Sequence, residues 1–260
     1  IGKTTDLGSR DFRFLPDEGL LDPQSGPSQF GRNRDAWGNW FGVQNANPAW
    51  HYVLADRYLR RNPHFIPPDS KHRISDVPGS RPVFARSRGG RFFHASQVGH
   101  FTSANSAIIY RDELLGKRFA GNSFVSEPVH NLIHREVVSP AGVTFTSRRA
   151  EDELDREFLA SADTWFRPTM LRTGPDGALW IADMYREIIE HPQWVKGDLK
   201  SIVDTRNGHD RGRIYRVYPS DKKPRPIPRL DKLKTEQLAA ELESPSGSRR
   251  DMVHRFVVNQ

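Results

Sequence analysis

Three groups of residues in this 260-residue chain bring together side chains that could do chemistry. The first lies in "GRNRDAWGNWFGVQNANPAWH", where Arg32, Asn33, Asn39, Asn45 and Asn47 are interspersed with Trp37, Trp40 and Trp50, ending at His51. Amide and guanidinium donors beside flat aromatic walls suit a polar, planar or sugar-like ligand. The same composition also suits indole anchors of a core, with Gly and Asn serving tight turns. No helical or strand period runs through the stretch, so it reads as a structured rim loop, with His51 either a base or a hydrogen-bonded structural histidine. The second group is "GNSFVSEPVHNLIHREVV", in which Glu127 and His130 could meet as a carboxylate–imidazole pair. His134 follows four residues later, a spacing that fits no zinc site with its third ligand in evidence. His100, in "QVGHF", is a further acid/base candidate whose ordinary role would be turn packing. The third is Arg167 in "WFRPT", placed at a strand entrance to fork onto a ligand carboxylate or to pair with an internal aspartate.

Short strands must position these groups. From about Ser106, "SAIIYR", "GNSFVSEP", "HNLIHREVV" and "GVTFTS" recur at the spacing of an antiparallel meander. A second unit runs from "WFRPTMLRT" through "GPDG" to "ALWIADMYR" and resumes at "RGRIYRVYP" after an insertion. Pro175 presets the "GPDG" turn and Gly177 accepts positive φ. Leu179 and Ile181 alternate with Trp180 and Ala182, as in a strand with two differently covered faces. Four-stranded units repeated around an axis make a β-propeller, although the repeat is loose enough to leave a sandwich open. After the proline-punctuated "DKKPRPIPR", the segment "TEQLAAELES", with Thr235 as its N-cap, and "SRRDMVHRFVVNQ" read as two helices joined by "SPSG", an α-hairpin or the first step of a solenoid.

Composition narrows the function classes. With no cysteine, disulfides, thiolate metal sites, cysteine nucleophiles and haem attachment are excluded within this chain. The net charge of +7 is uneven. The middle of the chain is slightly acidic, and the basic clusters "RPVFARSRGGR" and "DKKPRPIPR" are Gly- and Pro-rich loop and linker, so no nucleic-acid face is expected. No Ser–His–Asp order, phosphate-cradling loop or dinucleotide fingerprint is present. No apolar run approaches the roughly 20 residues of a membrane span. The chain opens without a signal pattern or Met and stops on "RFVVNQ" in mid-pattern, which reads as a fragment; membrane association is expected only through segments outside it.

The runs "FGRNRDAWGNWFGVQNANPAWHYVL", "YLRRNPH", "GNSFVSEPVHNLIHR", "EFLASADTWFRPTMLRTGPDGALWIADMYREIIEHPQW" and "DRGRIYRVYP" together resemble the membrane-bound dehydrogenase family of planctomycete- and verrucomicrobia-type bacteria. That family is a β-propeller distantly similar to soluble quinoprotein glucose and sorbosone dehydrogenases, followed by HEAT-like helical repeats and often a cytochrome c-type haem domain. The resemblance implies a mainly β fold: C-terminal blades of a β-propeller over residues 1–218, a linker over 219–230 and the start of an α-helical (HEAT-like) repeat domain over 231–260. It implies an extracytoplasmic oxidoreductase that oxidises a sugar or related alcohol and passes electrons to a cytochrome c-type acceptor, with haem c in a domain outside this chain. Pyrroloquinoline quinone and calcium would sit at the propeller mouth. On that pattern Arg167 falls on one of two late-blade arginines that hold the quinone carboxylates, while Trp165 stands where the other would be and "SEPVH" supplies no quinone-contacting lysine. Arg32–Asn33 or Asn45–Asn47 stand for the Arg–Asn pair near the cofactor. His51, His100 and His130 are reserve acid/base candidates, the catalytic histidine being expected upstream of Ile1. The alternative is a non-catalytic propeller that binds carbohydrate or protein as an extracytoplasmic scaffold.

Overall fold

The computed structural model describes residues 4–62, 64–65, 69–76, 82–87, 98–189, 195, 197 and 203–259. Among them the chain is mainly β, built from antiparallel sheets. A hairpin of β1 (Asp11–Leu15) and β2 (Leu20–Gln24) comes first. A four-stranded meander follows: β3 (Arg32–Arg34), β4 (Trp40–Gln44), β5 (Asn47–Tyr52) and β6 (Lys71–Arg73), with the short helix α1 (Asp56–Leu59) between its last two strands. The central sheet has β7 (Asn105–Ile109), β8 (Ser123–Glu127), β9 (Leu132–Ala141) and β10 (Thr144–Arg149) in sequence order, with β11 (Leu159–Ala160) pairing the first half of β9. The third large sheet is β12 (Pro168–Thr173), β13 (Leu179–Asp183) and β14 (Arg213–Val217).

The meanders expected from Ser106 onward are therefore present, and the "GPDG" turn forms as its residues dictate. Gly177 adopts φ +91°, and Asp176 Oδ1 accepts hydrogen bonds from Ala178 N (3.2 Å) and Trp180 Nε1 (2.9 Å). The opening aromatic stretch corrects the expectation of a rim loop: it is the β3–β4–β5 meander. Its period was invisible because Phe41, Gly42 and Val43 are buried in succession, as in a strand covered on both faces. Glycine is required at 42, since a Cβ there would run into the Trp50 indole and the Tyr52 ring.

The central sheet is the hub of the packing. On one side Val43, Phe41 and Ile74 of the β3–β6 region meet Ala107, Ile109, Val125 and Leu132. On the other, Leu171, Leu179 and Ile181 pack with Ile108, Tyr110, Phe124 and Ile133. Fully burying a side chain of this kind is worth roughly 1.5–3 kcal/mol. Of the leading strands of the three sheets, β7 touches both β3 and β12.

Two helices close the described chain. α2 (Thr235–Glu241) begins after Lys234 rather than at a Thr235 cap: Thr235 is already helical, and Lys234 N donates to Gln237 Oε1 (2.9 Å). α3 (Gly247–Val258) is capped by Ser246, whose hydroxyl accepts from Arg249 N (3.4 Å). The helices touch each other, and α3 also sits on the sheets: Gly247 N donates to Arg111 O and Ser248 Oγ to Thr173 O. Residues 219–230 are likewise fastened, Arg225 reaching Asp112 with its guanidinium and Asp176 O (2.9 Å) with its backbone N. No helix among the described residues is long and apolar enough to cross a membrane.

Candidate functional site: an arginine-lined cleft

A cleft of about 370 Å³ opens where β3, β7 and β12 come together beneath α3. Five arginines line it, Arg32 and Arg34 from β3, Arg111 just beyond β7, Arg172 from β12 and Arg255 from α3, against one carboxylate, Asp251. Each element presents its residue by its own period. On β12, Leu171 and Thr173 turn into the core and Met170 and Arg172 turn outward. On α3, Ser248, Asp251, Met252 and Arg255 follow the i, i+3, i+4, i+7 spacing of a single helix face and all line the cleft.

The five guanidinium groups are not equally committed. Arg111 makes a bidentate contact with Asp251 (2.7 and 3.1 Å), and Arg34 reaches the same carboxylate (3.2 Å). Burial works against the charge on Asp251, but Arg111 and Arg34 hold its carboxyl below the ordinary range. Arg32 donates to Ser25 O (2.6 Å), lies 3.2 Å from Asp11 Oδ2 and stacks 3.5 Å from the centre of the Tyr52 ring. Arg172 Nη1 donates to Asn33 Oδ1 (3.3 Å) and Leu171 O (2.9 Å) and meets no carboxylate among the described residues. Its surroundings desolvate it and lower its pKa, yet an arginine stays charged at neutral pH. Asn33 is oriented from the other side by its Nδ2 donating to Ala107 O (2.7 Å). With Arg32 met by Asp11 and Asp251 shared by Arg111 and Arg34, Arg172 and Arg255 meet no carboxylate among the described residues, and with Trp40 and Met252 as apolar wall they make an anion-binding arrangement with bidentate capability.

Of the residues singled out in the sequence, Arg32, Asn33 and Trp40 meet at this cleft. Asn45 lies in the tight turn between β4 and β5 and Asn47 opens β5, with Asn45 O accepting from Ala104 N (2.9 Å). Arg167 is turned inward and fastens backbone: its guanidinium donates to the carbonyls of Pro128 (2.9 Å), Arg186 (3.0 Å) and Glu187 (2.6 Å), and its N to Asp183 Oδ1 (2.8 Å). His51 is packed against Phe41 and Phe145, with Nδ1 3.0 Å from Thr144 Oγ1, and burial lowers its pKa. His100 lies in a short bridge to Pro82. His130 is buried with Nε2 accepting from Gly99 N (3.0 Å), which leaves the proton on Nδ1, 3.4 Å from Glu127 Oε1. The Glu127–His130 pair thus forms, but Glu127 also accepts from the backbone N of Thr102 (3.1 Å) and Ser103 (3.0 Å), so the pair pins the 99–103 segment.

His134 belongs to a separate buried network. Its Nδ1 is 2.7 Å from Glu157 Oε2 and its Nε2 3.3 Å from Glu136 Oε1, while Ser75 and Ser147 donate to Glu136 and Arg149 and Phe84 N to Glu157. Burial disfavours a charged imidazole, but the two carboxylates outweigh it and raise its pKa to about 9. Every partner here is internal, so the network staples segments together and leaves no vacant position for a substrate. The sequence reading missed Arg34, Arg111, Arg172 and Arg255. The available signals were the helical spacing from Ser248 to Arg255 and the strand alternation around Arg172.

No curated protein and no solved structure matches the chain. A family model does, over residues 1–221, a span that takes in every strand and stops short of α2 and α3. The chain therefore belongs to the family described as a domain of unknown function, DUF7133.

Proposed function

We propose that the chain is part of a β-propeller oxidoreductase whose arginine cleft holds a small ligand bearing several carboxylates. The observation that carries this reading is the imbalance of the cleft: among the described residues five arginines line it, and only Asp251 and, at Arg32, Asp11 balance them. The propeller reading is supported by β7 contacting both β3 and β12, each of the three the leading strand of an antiparallel meander. The three carboxylates of pyrroloquinoline quinone fit the donor set: Arg172 and Arg255 would take anionic oxygens, Asn33 would orient Arg172, and Trp40 would supply a flat wall. When bound, such a quinone supplies a hydride acceptor; the residues of the cleft bind and orient. Calcium has no matching donors, since Asp251 is spent on two arginines and the described residues hold no cluster of three or more metal-ligating side chains. Among the described residues no histidine, lysine or glutamate lines the cleft, so those walls offer no general base. The sugar or alcohol substrate, the cytochrome c-type acceptor and the extracytoplasmic location belong to the same proposal and rest on the resemblance alone.

The second reading, a non-catalytic propeller that scaffolds by binding carbohydrate or protein, is favoured by that lack of a base. Calorimetric titration with pyrroloquinoline quinone, followed by dye reduction with a panel of sugars, separates the two. Saturable binding weakened about tenfold or more by Arg172→Ala, together with sugar-dependent turnover, is the expected result. Binding without turnover would leave an anion-binding scaffold; no binding of the quinone by folded protein would sink the leading proposal.

A further inference from the structure

The cleft's single carboxylate comes from the helical segment, and it stands where a ligand oxyanion would. We propose that Asp251 is the internal counter-anion of the arginine cleft, so that anion binding and the docking of α3 oppose each other. The inference rests on the reading of the cleft as an anion site.

The geometry is that of a ligand already bound. Asp251 engages Arg111 through two parallel contacts and shares Arg34, the fork-to-fork arrangement by which a guanidinium recognises a free carboxylate. The N–H groups turned on Asp251 cannot serve a second oxyanion in the same fork at the same time. The opposition is therefore carried by an anion that takes Arg111 and Arg34, whereas one held only between Arg172 of β12 and Arg255 of α3 would draw the helix in. The other polar contacts of α3 and its cap with the strands and the segments that follow them are Gly247 N to Arg111 O (2.8 Å), Ser248 Oγ to Thr173 O (2.5 Å) and Ser246 Oγ to Gly174 O (3.5 Å), beside the burial of Val253 and the bond of Arg249 to Pro226 O. Loss of the Asp251 pair would thus weaken an anchorage that has few other polar contacts on the strands. By linkage, whatever affinity the anion loses to Asp251, α3 loses in docking when the anion is bound. Cleft occupancy would then be reported to the helices that follow the sheets.

Citrate is a suitable tricarboxylate probe. At low salt, Asp251→Asn is expected to bind it about tenfold more tightly than the unaltered protein. Hydrogen exchange on the unaltered protein should show the backbone amides of α3 exchanging faster in saturating citrate than in chloride of equal ionic strength. This second measurement stands even where Asp251→Asn folds poorly because Arg111 has lost its partner. Citrate affinity unmoved or weakened by Asp251→Asn, or α3 amides unchanged or slowed by citrate, overturns the coupling. Binding that Arg172→Ala abolishes but Asp251→Asn ignores removes the coupling alone. Citrate that binds neither protein removes the anion-site reading and the coupling with it.

Discussion

The arginine cleft and the His134 network are both clusters of ionisable side chains at contacts between sheets, and they differ in how their charges are balanced. Around His134, two carboxylates, an arginine, two hydroxyls and a backbone N–H meet one imidazole, and each polar atom has a protein partner. In the cleft, Arg172 has no carboxylate partner among the described residues and one acid serves two arginines. A closed, balanced cluster contributes to stability and specificity of packing, whereas an open, unbalanced one holds charge in reserve for something outside the chain. Perturbed ionisation alone does not separate them: His134 has the larger shift but lies in the closed cluster.

The sharpest way to break this contrast is to unbalance the closed cluster. Glu136→Gln removes a carboxylate from His134 and an acceptor that Ser75 and Ser147 share. The expected loss is about 3–5 kcal/mol in urea unfolding. A loss below about 1 kcal/mol would show that the network is not the staple described. Arg167→Ala comes next. Its buried guanidinium holds several carbonyls, so about 2–3 kcal/mol of stability should go while citrate affinity stays unchanged. A selective loss of anion binding would instead return Arg167 to the site.

The pH dependence of stability tests the same network. His134 has a folded pKa of about 9, above its ordinary 6.5, so its contribution is complete below about pH 6.5 and is lost as pH rises towards 9. The slope should reach at most about 1.4 kcal/mol per pH unit. Glu136 and Glu157 are shifted the other way: burial opposes their charge, but His134 more than compensates and lowers both pKa values from 4.5. Their contribution is present above about pH 4.5 and is lost on acidification. Urea midpoints should therefore peak between about pH 4.5 and 6.5, and a midpoint still rising from pH 7 to 9 would contradict a protonated His134. The smallest stability effect is expected at Arg172→Ala, within about 0.5 kcal/mol. The same substitution should weaken citrate binding about tenfold, the reverse of Arg167→Ala.

The sequence by itself determined most of the strands. Alternation at Leu179 and Ile181, the Pro175–Gly177 turn and the runs from Ser106 to Ser147 act through neighbours in the chain, and local chemistry is enough to specify them. The β3–β5 meander escaped because strands buried on both faces carry no period-2 signal. Only the tertiary structure decided which charges are spent. Arg167 and Arg172 lie five residues apart at and within β12, but one meets carbonyls from two other segments and the other meets the amide of Asn33. A side chain's role as staple or ligand donor depends on the partners that distant segments bring to it. Those partners are set by how β3, β7, β12 and α3 assemble, which no local spacing records.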